Sequence, residues 1–198
     1  MYNTMSNFWD DFGDRGYMSD KLLNYNIAYY RDLFENFKCD INKTVIEIGA
    51  GHGLSTEIFA SIFKKYIAIE PNKVLYKKLL ELKNNKYNDI TVQRAKFENI
   101  KIKDDIKVNM VIFTYSFQYI KYDVCITKVN EILYKNGFLL ILLPFKPFEF
   151  EDFNSIKNKK WRKQINETIK SIMSDENYEL LYFTRNKNYV ILLKKVSE

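Results

Sequence analysis

The chain has 198 residues, 46% of them hydrophobic, which predicts one domain with a substantial buried core. No apolar run approaches a membrane span, the first residues lack the basic-then-apolar pattern of a leader, and Cys39 and Cys125 match no metal or redox spacing, so a reducing cytoplasm without membrane or metal is the expected setting. The net charge of +6 rests on 26 Lys and only 5 Arg beside 20 Asn and 22 Ile, a mixture that AT-rich codons produce, and scarce arginine makes the charge a poor sign of a nucleic-acid partner.

Residues 1–40 are rich in aromatic side chains. They are read as a short helix, a turn at residues 13–16 and a longer helix at about 20–38 with Asp20 as its N-cap. From there strands and helices alternate. Strand Thr44–Ile48 leads to a helix at 53–64 with Leu54, Ile58 and Ile62 on one face, and strand 66–69 leads to a helix from Asn72 with Leu75, Leu79 and Leu82. A strand at 90–93 precedes an irregular stretch. A strand at 108–113 precedes a helix at 123–135 that carries Ile126, Val129 and Leu133, with Gly137 placed just past its end. A strand at 138–143 stops at Pro144. A helix at 155–173 with Trp161, Ile165, Ile169 and Ile172 is followed by strands 178–183 and 189–193, joined as a hairpin. This alternation predicts an α/β fold: a seven-stranded, mostly parallel Rossmann-like sheet with helices on both faces. The hairpin adds an antiparallel last strand at one edge. Residues 1–198 are taken as one domain, with 1–40 as a helical lid and 41–198 as the core.

The densest signal is Val45-Ile46-Glu47-Ile48-Gly49-Ala50-Gly51-His52-Gly53, an apolar strand that ends in an acid and enters a glycine turn ahead of a helix. Such a turn lets the backbone approach an adenosine cofactor. Leu54 stands where a dinucleotide fingerprint needs its third glycine, and the Gly-Lys-Ser/Thr of an ATP loop is absent. The acid followed by G-x-G-x-G resembles the first motif of class I S-adenosylmethionine-dependent methyltransferases. Glu70, at the end of the second strand in Ile69-Glu70-Pro71-Asn72, and the Gly137 turn into the fifth strand extend the resemblance over roughly residues 44–195.

That resemblance implies S-adenosylmethionine as cofactor and methyl transfer as the activity. It implies a cofactor site of Glu47, Gly49, Gly51, Gly53, Glu70, Pro71, Phe97 and Thr114. Gly49 and Gly51 would admit the methionine end, Glu47 would orient the loop or meet the ammonium, and the Glu70 carboxylate would take both ribose hydroxyls. Lys96 stands where the family usually has an acid for the adenine amino group, which leaves the Phe97 backbone, Glu98 or Asn99 for that task. His52 occupies a variable position of the motif.

The acceptor is sought at the end of strand four, in Phe113-Thr114-Tyr115-Ser116-Phe117-Gln118-Tyr119-Ile120. The Asn/Asp-Pro-Pro-Tyr/Phe motif of amino-group methyltransferases is missing there. Ser116–Ile120 resembles instead a segment of the small-molecule branch. The expected pocket residues are Trp9, Tyr17, Tyr115, Gln118 and Tyr119, and the expected acceptor is a small molecule. Two alternatives stay open: an RNA or protein methyltransferase docking through the basic helix at 157–163, and a non-catalytic cofactor-binding subunit. No catalytic base is identified, and the oligomeric state is not fixed by the sequence.

Overall fold

The computed structural model describes residues 20–86, 89–100, 107–144, 156–185 and 188–197. Trp9 and Tyr17, and with them residues 1–19 of the expected lid, lie outside the described residues. Helix α1 (Asp20–Asn36) is followed by β1 (Thr44–Ile48), α2 (Leu54–Ala60), β2 (Lys65–Ile69), α3 (Lys73–Lys86), β3 (Thr91–Gln93), a short turn of 3₁₀ helix (Phe97–Asn99), β4 (Val108–Thr114), a second such turn (Phe117–Tyr119), α4 (Tyr122–Ile132), β5 (Leu133–Pro144), α5 (Ile156–Met173), β6 (Tyr178–Arg185) and β7 (Asn188–Lys195).

The strands form one seven-stranded sheet in the order β3-β2-β1-β4-β5-β7-β6. Pairing is parallel from β3 through β5 and antiparallel on both sides of β7. The central strands read as unbroken apolar runs because both of their faces are covered. In β1 the residues Val45 to Ile48 are all buried, and so are Met110 to Phe113 in β4. One face packs on α4 and α5 through Val129, Ile132, Ile165 and Ile169. The other packs on α1, α2 and α3 through Phe34, Phe59, Phe63 and Leu79. Among the described residues, no helix is long and apolar enough to cross a membrane.

Two expectations are corrected. The antiparallel strand does not lie at the edge: β7 is inserted between β5 and β6, and the edge belongs to β6. β7 is almost wholly apolar from Tyr189 to Leu193 and buries those residues, whereas β6 leaves Glu179, Leu180, Phe183 and Arg185 exposed. Gly137 does not close a helix. α4 passes directly into β5 at Leu133, and Gly137 lies inside that strand, where a Cβ would come within 2.8 Å of Tyr134 O. The end of α4 is held by a residue distant in sequence. Lys195, 1% exposed, donates from Nζ to Asn130 O (2.9 Å) and Leu133 O (3.2 Å), placing a cation at the negative end of the helix.

The registers place the site. Ile48 is level with Ile69 on one side and with Phe113 on the other. The carboxyl ends of β1, β2 and β4 therefore finish together, and the strand order reverses between β1 and β4. A crevice opens at such a reversal in an open α/β sheet.

Candidate active site

The glycine turn leaves β1 with left-handed φ angles at alternate residues: +73° at Gly49, +62° at Gly51 and +103° at Gly53. A side chain strains such a backbone by roughly 1–2 kcal/mol per residue, so glycine is the natural occupant. Gly49 N and Ala50 N both donate to Ile69 O at 2.9 Å, which folds the turn over the end of β2. A Cβ on Gly51 would meet no atom of the described residues within 4 Å, so the side of Gly51 where a side chain would stand faces open space.

Glu70 supports the turn from below. It is 5% exposed, and its two oxygens are shared between two amides, Gly51 N at 2.8 Å and Asn72 N at 2.7 Å. Asn72 in turn accepts from Val74 N and Leu75 N at the start of α3. Pro71, exposed between them, offers no competing donor and presets the bend. Burial pushes the Glu70 carboxyl above its ordinary value, and the two amide bonds pull it back. Each oxygen still has a lone pair for a further donor.

Glu47 is fully buried and faces the protein. It accepts from Ser55 Oγ, from Thr56 Oγ1 at 2.6 Å and from Tyr66 OH at 3.0 Å. Burial raises its carboxyl and these hydroxyls lower it, with Thr114 adding to them. Thr114 Oγ1 is buried near Glu47 but meets no partner at full hydrogen-bond geometry among the described residues. Glu47 thus fastens the start of α2 and the middle of β2 beneath the turn. Ser55 and Thr56 were not singled out in the sequence, although two hydroxyl residues directly after the glycines, on a helix whose neighbours are apolar, were a usable sign. Tyr66 was legible once pairing is known: Glu47 pairs with Ala68, and Tyr66 lies two residues back on the same face.

The loop after β4 closes the other wall. Ser116, also not singled out, donates from Oγ to Ile48 O, and a Cβ on Gly49 would overlap its Cβ. Tyr115 has φ +56°, a strained value for a non-glycine residue. Its N–H is fixed to Leu142 O at 3.0 Å, and its carbonyl accepts from Gln118 Nε2 at 2.7 Å. Phe117, fully buried, stands edge-on to Phe113 at 5.0 Å and anchors the loop. Gln118 is 8% exposed, and its Oε1 accepts no hydrogen bond. Tyr119 is 37% exposed. Tyr115 packs toward α1, where burial and the nearby Tyr115 push the Tyr30 hydroxyl up. The structure thus brings Tyr115, Gln118 and Tyr119 onto one loop beside Gly49.

The remaining candidates are less central. The Phe97 ring is buried edge-on to Phe113 at 5.4 Å, so only its backbone is available to a ligand, and Lys96 beside it is exposed. His52 is half-buried; burial and Lys78 lower its pKa against the pull of Glu57, which keeps the imidazole neutral near pH 7. Cys39 and Cys125 are both free and buried.

An adenosine-type cofactor fits this arrangement. The open space where Gly51 lacks a side chain leaves room for it, and Glu70 retains acceptor capacity for a diol. Comparison with known proteins agrees. The family profile described as ribosomal RNA adenine dimethylase matches residues 21–119, half of the chain. No curated protein matches significantly. Among solved structures, a S-adenosylmethionine-dependent methyltransferase from Aquifex aeolicus superimposes with a TM-score of 0.64 at 12% identity, covering 83% of this chain and 88% of its own. A ribosomal RNA methylase from Streptococcus thermophilus gives 0.58 at 18% identity, covering 85% and 95%. A glycopeptide N-methyltransferase gives 0.60 at 12% identity, covering 86% and 90%. At these identities the structural likeness is one of fold. The profile match spans α1, the glycine turn, Glu70 and the loop after β4, and on it the chain belongs to the ribosomal RNA adenine dimethylase family, S-adenosylmethionine-dependent methyltransferases.

Proposed function

We propose that the enzyme methylates RNA, at the amino nitrogen of an adenine base. The observation that carries this reading is the family match over residues 21–119, which includes both walls of the crevice. It reverses the order expected from the sequence, where a small molecule came first.

In this reading S-adenosylmethionine supplies an electrophilic methyl group on a sulfonium. Gly49 and Gly51 admit the methionine end, Glu70 holds the ribose, and Glu47 keeps the turn rigid from behind. Held there, the cofactor would offer its methyl carbon to the amino nitrogen in line, with the thioether as leaving group and the amino proton passing to water. Positioning supplies most of the acceleration in such a displacement. An exocyclic amine is a poor nucleophile because its lone pair is drawn into the ring. An acceptor on its N–H opposes that, and Gln118 Oε1 is a buried acceptor with no donor among the described residues. With Phe117 sealed in the core and Tyr115 packed toward α1, the exposed Tyr119 is the aromatic side chain of this loop that can meet a base.

The small-molecule reading keeps one supporting observation, that Thr114 and Ser116 stand where amino-group enzymes acting on bases usually carry Asn/Asp and Pro. Isotope-labelled S-adenosylmethionine with total ribosomal RNA, followed by digestion to nucleosides and mass spectrometry, separates the two. Label in N-methylated adenosine is expected. Label confined to small metabolites of an extract, with none in RNA, overturns the proposal.

A further inference from the structure

We propose that the edge of the sheet opposite the crevice carries a second RNA contact, a lysine-lined cleft that holds the phosphate backbone. This rests on the RNA reading above and extends it. Lys43, Lys65, Lys107 and Lys135 stand at or near the amino ends of β1, β2, β4 and β5. These four strands are neighbours in the sheet. At about 4.8 Å per strand the row is roughly 15 Å long, enough to reach several phosphates. All four lysines are exposed, and with Asn109 and Tyr134 they line a cleft of about 470 Å³.

Among the described residues, every charged residue lining that cleft is a lysine. The adjoining cavity, about 350 Å³, shares Lys43 and Asn109, adds Lys38 and Lys194, and contains one carboxylate, Asp40. Asp40 is already occupied by the N–H and Nδ2 of Asn42, at 2.9 and 3.1 Å. The chain as a whole carries 31 basic and 25 acidic residues, so this edge is far more one-sided than the average surface. Lysine without arginine suits point contacts to phosphate rather than base reading. Tyr134, 44% exposed among the lysines, offers a ring on which an unpaired base can stack. The seven residues of β4 put roughly 20 Å between this edge and the cofactor turn. The contact is therefore an anchor, separate from methyl transfer.

The test compares two triple charge reversals in the full chain, K43E/K65E/K107E at this edge and K159E/K163E/K170E on α5. Fluorescein-labelled poly(A) is titrated by anisotropy across a salt series, with S-adenosylmethionine calorimetry to verify folding. The edge variant is expected to bind RNA about tenfold more weakly or worse and to flatten the log–log salt slope by about two to three, with cofactor binding unchanged. The neutral K43Q/K65Q/K107Q should show the same sign. The α5 variant should retain most of the wild-type slope. An edge variant equal to wild type, or an α5 variant that loses more, overturns the anchor while leaving the RNA reading intact. Failure of the wild-type protein itself to bind poly(A) or to label RNA removes both.

Discussion

Replacing Gly49 by Ala tests how the two walls of the crevice are joined. The new Cβ would sit on the Ser116 side chain, 3.0 Å from its Oγ, at a residue whose φ is +73°. The left-handed backbone costs about 1–2 kcal/mol for alanine. Displacing Ser116 adds about 1–3 kcal/mol of overpacking, and losing its bond to Ile48 O adds about 1 kcal/mol. The expected destabilisation is about 3–6 kcal/mol, read from urea unfolding of the apo protein. Ser116→Gly should cost only about 1 kcal/mol for the lost bond. In the double variant the overlap vanishes and the lost bond counts once, so the pair should be more stable than the sum of the singles by about 2–4 kcal/mol. Gly51→Ala is the contrast: with no protein atom near the added methyl, its stability loss should stop at the backbone strain, about 1–2 kcal/mol. Its methyl enters the crevice, and cofactor affinity should fall about tenfold or more. The reasoning fails if Gly49→Ala costs under about 1 kcal/mol, or if Ser116→Gly does nothing to relieve it.

Glu70→Ala should weaken S-adenosylmethionine binding about ten- to a hundredfold in calorimetry, since charged hydrogen bonds of about 1.5–3 kcal/mol are lost. Burial raises the Glu47 carboxyl above the 4.5 of the unfolded chain. Between those two values the folded state holds a proton that the unfolded state has released, so this group's contribution is complete below pH 4.5 and is lost as pH rises through the folded value. The stability of wild type minus that of Glu47→Gln should therefore decline with pH in that window and then level off; a flat difference contradicts it. Lys195→Ala should cost about 2–3 kcal/mol by leaving Asn130 O and Leu133 O without their cation, and Lys195→Met should recover the packing share, as urea midpoints will show.

Much of this fold was legible because burial on both faces leaves a plain mark. Val45 to Ile48 and Leu139 to Leu143 could belong only to central strands once helices alternate with them. The place of β7 was not legible, because a hairpin's sequence states that its strands pair, not which of them meets the sheet. Gly137 was misread as a helix stop because the true stop is Lys195, more than sixty residues away in sequence. The cofactor turn was legible from glycine spacing. The direction in which Glu47 points was not: the same acid can face a ligand or the protein, and the hydroxyls of Ser55, Thr56 and Tyr66 decide that only after folding. Ser116 left no sign, since a serine in a loop is unremarkable until its neighbour lacks a Cβ.

The fit of Ser116 against Gly49 has a consequence for how this enzyme can diverge. Residue 116 belongs to the acceptor wall and residue 49 to the donor wall, yet neither has room to grow while the other stays. A lineage that changes its substrate by enlarging position 116 would disturb the donor wall in the same step. Substitution at either position is thereby coupled to the other, because Ser116 fills the space of the Cβ that Gly49 lacks.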